Sequence, residues 1–195
     1  MKIEHRGLKF KVYAEKDHYG GCPWDDDGVG IVRRGPPGSK TPGEIILQGN
    51  AWHALSVWLY DWAGTMKKAK EEQWGLSPEA EKELAEFTQR MYGRGPTAGE
   101  RRRKAVQQDF DRMRGYLYDK WQYVEVYVYV VDDHGDTVES SYYPFPHSVG
   151  GIEEDCSKET QCYIREVAMD IIEENFDQFA ACRLRAILDR ETIDG

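Results

Sequence analysis

The sequence predicts an α+β fold, with an antiparallel sheet of about 4–6 strands and helices packed mainly on one face. Three observations carry that expectation. Two segments alternate with period two, "LKFKVYAE" at 8–15 and "YVEVYVYVV" at 123–131. Several longer segments repeat their apolar residues every three or four positions, as an amphipathic helix does. The order along the chain is strands, helices, a hairpin and a last helix, not the regular strand and helix alternation that builds a parallel sheet.

In the first segment Leu8, Phe10, Val12 and Ala14 fall on one side and Lys9, Lys11, Tyr13 and Glu15 on the other, the pattern of a half-buried strand. Short strands are expected at 29–33 and 44–47, separated by the loop "RRGPPGSKTPG". Over 51–73 the period changes. Trp52, Leu55, Leu59, Trp62, Met66 and Ala69 step by three or four and predict one helix, closed near Gly75. Ser77 and Pro78 restart a helix as N-cap and first-turn residue. Thr97 and Glu100 form a capping box for a long helix to about Trp121. In the 123–131 strand the valines line one face and the tyrosines the other, so it should be central. "DDHGD" is a tight turn and 138–143 the return strand. A last helix runs from about Lys158 to about Asp189, with Phe179, Leu184, Ile187 and Leu188 either continuing it or forming a second short helix. At 195 residues the chain suits one domain covering 1–195, with 76–97 as a helical insertion.

The net charge of −9 is unevenly spread: residues 122–195 carry five Lys/Arg against seventeen Asp/Glu. Such a field repels phosphates and attracts basic partners, so direct nucleic-acid binding is disfavoured. No apolar run is long enough to span a bilayer and the N-terminus lacks a signal-peptide core, so a cytosolic protein is expected, with Cys22, Cys156, Cys162 and Cys182 as free thiols. A homo-oligomer is compatible with this composition.

Phosphate-binding glycine motifs, a nucleophile elbow and H-E-x-x-H are absent. The acidic loop "CPWDDDG" offers Asp25, Asp26 and Asp27 as oxygen ligands for a divalent cation, but consecutive aspartates more often cap and order a turn. A hidden His/Cys catalytic pair is a further reading, His147 with Cys156 being one instance. "ERRRK" at 100–104 is the only dense basic run, and its cations oppose the helix dipole. The strongest lead is an acidic helix face: Glu166, Asp170, Glu173, Glu174 and Asp177 follow helical steps, with Glu153, Glu154, Asp155 and Glu159 upstream. Trp58 lies off the apolar stripe of its helix and is expected to be an exposed contact.

The stretches "HRGLKFKV", "CPWDDDGVG", "YDWAGTMKKAKEEQWG", "DFDRMRGYLYDKWQYVEVYV" and "GGIEEDCSKETQCYIREVAMDII", in this order, resemble a group of small uncharacterised proteins of tailed bacteriophages and prophages. The resemblance spans about residues 3 to 175. The chain departs from it at Val149, Gly150 and Gly151, where the group often has an aromatic, and in the "SPEAEKELAEF" helix. No activity or catalytic residue comes with it. It implies a phage accessory protein in the cytoplasm of the bacterial host, with Trp24 plugging the core and the aspartates ordering a turn. The leading expectation is a non-catalytic, anti-defence type of protein without cofactor. It would bind a basic, nucleic-acid-handling host protein through the acidic face and Trp58. The alternative is a metal-dependent enzyme acting on nucleotides or nucleic acid, with Asp25, Asp26 and Asp27 near Glu153, Glu154 and Asp155. A third is nucleic-acid binding through 101–104.

Overall fold

The structure is a computed structural model that describes residues 1–48, 55–138 and 147–193. Its elements are β1 (Lys2–His5), β2 (Leu8–Lys16), β3 (Val32–Gly35), β4 (Glu44–Ile46), β5 (Val57–Asp61), α1 (Trp62–Glu71), α2 (Pro78–Tyr92), α3 (Ala98–Leu117), β6 (Gln122–Val131), β7 (His147–Glu154), α4 (Lys158–Glu174) and α5 (Phe176–Ile193). The fold is α+β, with two antiparallel sheets of four and three strands. The sequence reading takes 1–195 as one domain; the chain divides into two compact units. Unit 1 is Met1–Gly20 with Trp121–Gly195, and unit 2 is Gly21–Lys120, inserted in sequence between β2 and β6. Among the described residues no helix is long and apolar enough to cross a membrane.

Unit 1 is built on the sheet β1-β2-β6-β7. The alternation of β6 sorts its side chains: Val124, Val126, Val128 and Val130 are buried against Phe10 and Val12 of β2 and Ile164, Ala168, Ile171, Ile172 and Phe179 of the helices. Each such valine contributes roughly 1.5–3 kcal/mol by leaving water. On the other face Tyr123 is buried while Tyr127 and Tyr129 are half-buried. After β6 the chain turns on buried Asp132, whose Oδ1 accepts from the N–H groups of His134 and Asp136.

The return strand expected at 138–143 is described only at its first residue, Val138, which donates its N–H to Val130. A strand that pairs with β6 is β7, which includes the "HSVGG" stretch. Two glycines in a strand are unfavourable in isolation. Here the register shifts between Val124 and Val126, Gly151 takes a left-handed φ of 74°, and its N–H donates to Asp17 Oδ2 at 2.9 Å. The glycines thus make a bulge rather than a break. The last helical stretch does divide, at Asn175, whose side chain caps Ile171 O at 2.9 Å.

Unit 2 has the sheet β3-β5-β4, with α1 packed on α3. Its core joins Val29, Leu47, Tyr60, Ala69, Val106, Phe110 and Met113, with Trp24, Trp58, Trp62 and Trp74 around it. The helix expected over 51–73 is corrected. Residues 57–61 are the central strand β5, with Val57, Leu59 and Tyr60 all buried, and the helix begins only after Asp61, whose carboxylate caps Gly64 N at 2.8 Å. Trp52 lies outside the described residues, and Leu55 is exposed. The strand placed at 29–33 is Val32–Gly35. The other helix boundaries follow their caps: Ser77 accepts from Ala80 N, Gly93 ends α2 in the left-handed region, and Thr97 and Glu100 cap each other's N–H groups.

Arg33 and Glu44 tie the loop of unit 2 together. Nε and Nη2 of Arg33 donate to the two Glu44 oxygens at 2.5 and 2.7 Å, and Thr41 N adds 2.6 Å. The Arg33 hydrogen bond first, then the Thr41 N–H, hold the Glu44 carboxyl down to about 2. A depressed carboxyl stabilises the fold above its ordinary value of 4.5 and loses that contribution as pH falls toward 2. The melting temperature should therefore drop across that window, and Glu44→Gln should flatten part of the drop while lowering stability at neutral pH. Thermal melts followed by circular dichroism from pH 6 to pH 2 test this. Identical slopes in wild type and variant would remove Glu44 from the account.

Candidate functional site

Helix α4 starts at Ser157, whose hydroxyl accepts from Thr160 N at 3.1 Å. Its buried stripe, Ile164, Ala168, Ile171 and Ile172, fixes the helix rotation against the valine face of the sheet. At 100° per residue, Glu166, Asp170, Glu173 and Glu174 then fall within an arc of roughly 100° on the opposite side, and Asp177 follows past the break at Asn175, in the first turn of α5. All five are exposed. Among the described residues, none of the five has a hydrogen-bond or ion-pair partner.

This placement is locally unfavourable. Glu166 with Asp170 and Asp170 with Glu174 are like charges four residues apart on α4, each pair destabilising by about 0.2–0.5 kcal/mol. Glu173 and Glu174 also sit in the last turn of α4, which has no basic residue, at the negative end of the helix dipole.

The upstream acids behave differently. Asp155 accepts from Thr160 Oγ1 at 2.6 Å and from Ser157 N at 3.0 Å, which hold its carboxyl down to about 2. Glu154 accepts from Cys156 N at 2.8 Å. These carboxylates order the β7–α4 turn, so the expected ridge separates into a structural part and an unpartnered part. Unit 1 carries ten Lys/Arg against twenty Asp/Glu, and unit 2 sixteen against fifteen, so the excess negative charge belongs to unit 1.

Trp58 is not an exposed contact, which corrects the sequence expectation. It stands in β5, half-buried, with its ring 4.4 Å from that of Trp24 and the Arg34 guanidinium over it at 5.8 Å. Trp24 also meets Tyr116 edge-on at 5.8 Å, beside buried Pro23. The acidic loop is therefore an aromatic anchor followed by a turn. Asp25 accepts from Cys22 N at 3.1 Å, and Asp25, Asp26 and Asp27 are exposed. Among the described residues no group of three His, Cys, Asp or Glu side chains is arranged to hold a metal ion.

The basic run is partly spent within the fold. Arg101 pairs with Glu81 at 2.7 Å and Lys104 with Glu83 at 3.6 Å, while Glu100 takes a double hydrogen bond from Arg94. Cys156 faces Glu154, and that carboxylate pushes its thiol up, away from the thiolate a nucleophile needs. The His147 ring packs edge-on against Phe179 at 4.9 Å, and burial lowers its pKa.

One polar group escaped the sequence reading. Asp109 of α3 accepts from Tyr60 OH at 2.6 Å and from Gly30 N at 3.1 Å, and burial raises its pKa. It opens onto a shallow groove of about 430 Å³ with Trp74, Gln108 and Arg112. The only available signal was an aspartate on the flank of the Val106, Phe110 and Met113 stripe.

Comparison with known proteins finds no matching family model, no matching curated protein and no matching solved structure.

Proposed function

We propose that the chain is a non-catalytic phage accessory protein. It binds a basic, nucleic-acid-handling protein of the bacterial host through the acidic face of α4 and the start of α5, and blocks that partner's nucleic-acid channel. The observation that supports this reading is the set of five exposed, unpartnered and mutually repelling carboxylates at Glu166, Asp170, Glu173, Glu174 and Asp177. A fold gains nothing from that arrangement alone, whereas a cationic surface would relieve the repulsion on contact. The phage context comes from the resemblance of the sequence stretches, and the inhibitory role from the likeness of a spaced carboxylate row to a phosphate backbone.

The test is the triple variant Glu173→Lys, Glu174→Lys, Asp177→Lys. Partner capture from host lysate should be lost. The melting temperature should change little: lysines at 173 and 174 suit the end of α4 by about 0.3–1 kcal/mol each, while Asp177→Lys removes an acid from the first turn of α5, where the dipole favours it. Capture of the same basic protein, undiminished by the three reversals, would sink the proposal.

A further inference from the structure

A second charged feature of unit 1 lies on the sheet face that α4 and α5 leave uncovered, and it is positive. The register sets its members. Lys2 stands directly opposite Lys11, Glu4 opposite Lys9, Lys9 opposite Val131, Lys11 opposite Tyr129 and Tyr13 opposite Tyr127. Residues facing each other across antiparallel strands share a side, and their neighbours Ile3, Phe10 and Val12 point into the core. Lys2, Lys9 and Lys11 thus converge on one face. With Glu4, Val131 and the turn at Asp133, His134 and Gly135 they line a cavity of about 390 Å³.

Like charges placed directly opposite destabilise a strand pair, so the Lys2 and Lys11 pairing costs the fold something. The nearby acids do not cancel it. Asp132 is turned into its own loop, and Asp133 is held by Arg183 at 2.8 Å. Glu4 faces Lys9, while Lys11 hydrogen-bonds Tyr13 with its Nζ 5.3 Å from that ring's centroid, and Asp136 acts on it only from a distance. Among the described residues Lys2 and Lys9 have no ion-pair partner. Three lysines beside an exposed imidazole, in a unit with twice as many acids as bases, mark a place where this face would hold an anion. Beyond the cavity the face continues into the rings of Tyr13 and Tyr129, 5.7 Å apart and edge-on.

We propose that this cavity binds a small phosphorylated ligand, with its phosphate or pyrophosphate group against Lys2, Lys9, Lys11 and His134 and the rest toward Tyr13 and Tyr129. The volume falls within the range of small-molecule sites. Lysine ammonium groups meet phosphate oxygens as charge-assisted hydrogen bonds, each strong enough for about a tenfold change in affinity. The site is independent of the acidic face of α4.

Isothermal titration of the full chain with inorganic pyrophosphate and with ADP tests the proposal. Saturable binding is expected, weakened about tenfold in Lys9→Gln and further in Lys2→Gln/Lys9→Gln. Lys2→Gln should also hold or raise the melting temperature by relieving the repulsion with Lys11, so lost binding cannot be misfolding. Tighter ADP than pyrophosphate would place a ring on the tyrosines. Equal affinities would confine the site to the phosphate. No saturable heat with either probe, or an affinity unmoved by both variants, would overturn the proposal. So would a short single-stranded oligonucleotide binding more tightly than ADP.

Discussion

Gly30→Ala is expected to destabilise unit 2 by about 2–4 kcal/mol, the largest single-site effect foreseen for this chain. Gly30 is buried, and a Cβ there would overlap Asp109 Oδ2 and sit 2.5 Å from a ring carbon of Tyr60. Neither neighbour can retreat cheaply. Tyr60 is fully buried and edge-on to Phe110 at 5.3 Å, and its hydroxyl donates to Asp109 at 2.6 Å. Moving Asp109 breaks that hydrogen bond and the one from Gly30 N together, which leaves buried polar groups unpaired. Tyr60→Phe should cost about 1–3 kcal/mol by leaving the Asp109 carboxylate with the Gly30 N–H but without its shorter hydrogen bond. The double variant should cost less than the sum, because the lost hydroxyl is one of the atoms the methyl would strike. Chemical denaturation followed by tryptophan fluorescence reads this well, since Trp24, Trp58, Trp62 and Trp74 all pack against the core of unit 2. A loss below about 1 kcal/mol for Gly30→Ala would show that the site yields, against the geometry.

The fold was legible where one periodicity held over a whole element. β2 and β6 alternate because one face of each meets the core, and α2 and α3 carry their caps in sequence. It was not legible where tertiary context overrode the pattern. β5 lies between β3 and β4, so residues on both of its faces are apolar and no alternation survives. Leu59 and Trp62 happen to continue the three-residue step of the helix that follows, which is why the strand read as a helix. The run "VWLY" before Asp61, rich in β-branched and aromatic residues, was the usable signal. β7 was hidden by Gly150 and Gly151, whose role depends on Asp17, 134 residues away in sequence. Such a partner cannot be found by local inspection.

The candidate site shows the same division. The acidic positions on α4 follow from helical period alone, and the structure leaves them exposed. Which acids are engaged is a matter of geometry: Asp155 and Glu154 are tied into a turn, and the α4 set is not. The lysine face needs more still, because Lys2 and Lys11 meet only through the β1–β2 register. Charge in unit 1 is segregated rather than merely negative. Both segregated regions place like charges where the local rules of helix and strand disfavour them, and such conflicts are expected at functional surfaces.

Unit 1 should fold without unit 2. Replacing Gly21–Lys120 by a short glycine-containing turn is expected to leave a cooperatively folding protein. The argument is connectivity. The chain leaves unit 1 at the end of β2 and returns at the start of β6, and those strands are antiparallel neighbours, with Lys16 opposite Val124. Beyond them Asp17 N still donates to Tyr123 O at 2.9 Å, and a Cβ on Gly20 would lie 3.1 Å from that of Tyr123. A gap of this size is what a hairpin turn spans, so the replacement asks nothing of the sheet. What remains is a four-stranded sheet and two helices around one buried cluster, in segments of twenty and seventy-five residues, a size at which single domains fold alone. Closing a loop of a few residues instead of a hundred also lowers the entropy cost of pairing β2 with β6 by about 2–3 kcal/mol. The shortened chain should melt in one transition, show slow amide exchange in β6, and retain pyrophosphate binding at the lysine face. A chain without a cooperative transition would mean that these elements do not form a self-sufficient core, however complete their hydrogen-bonded ladder.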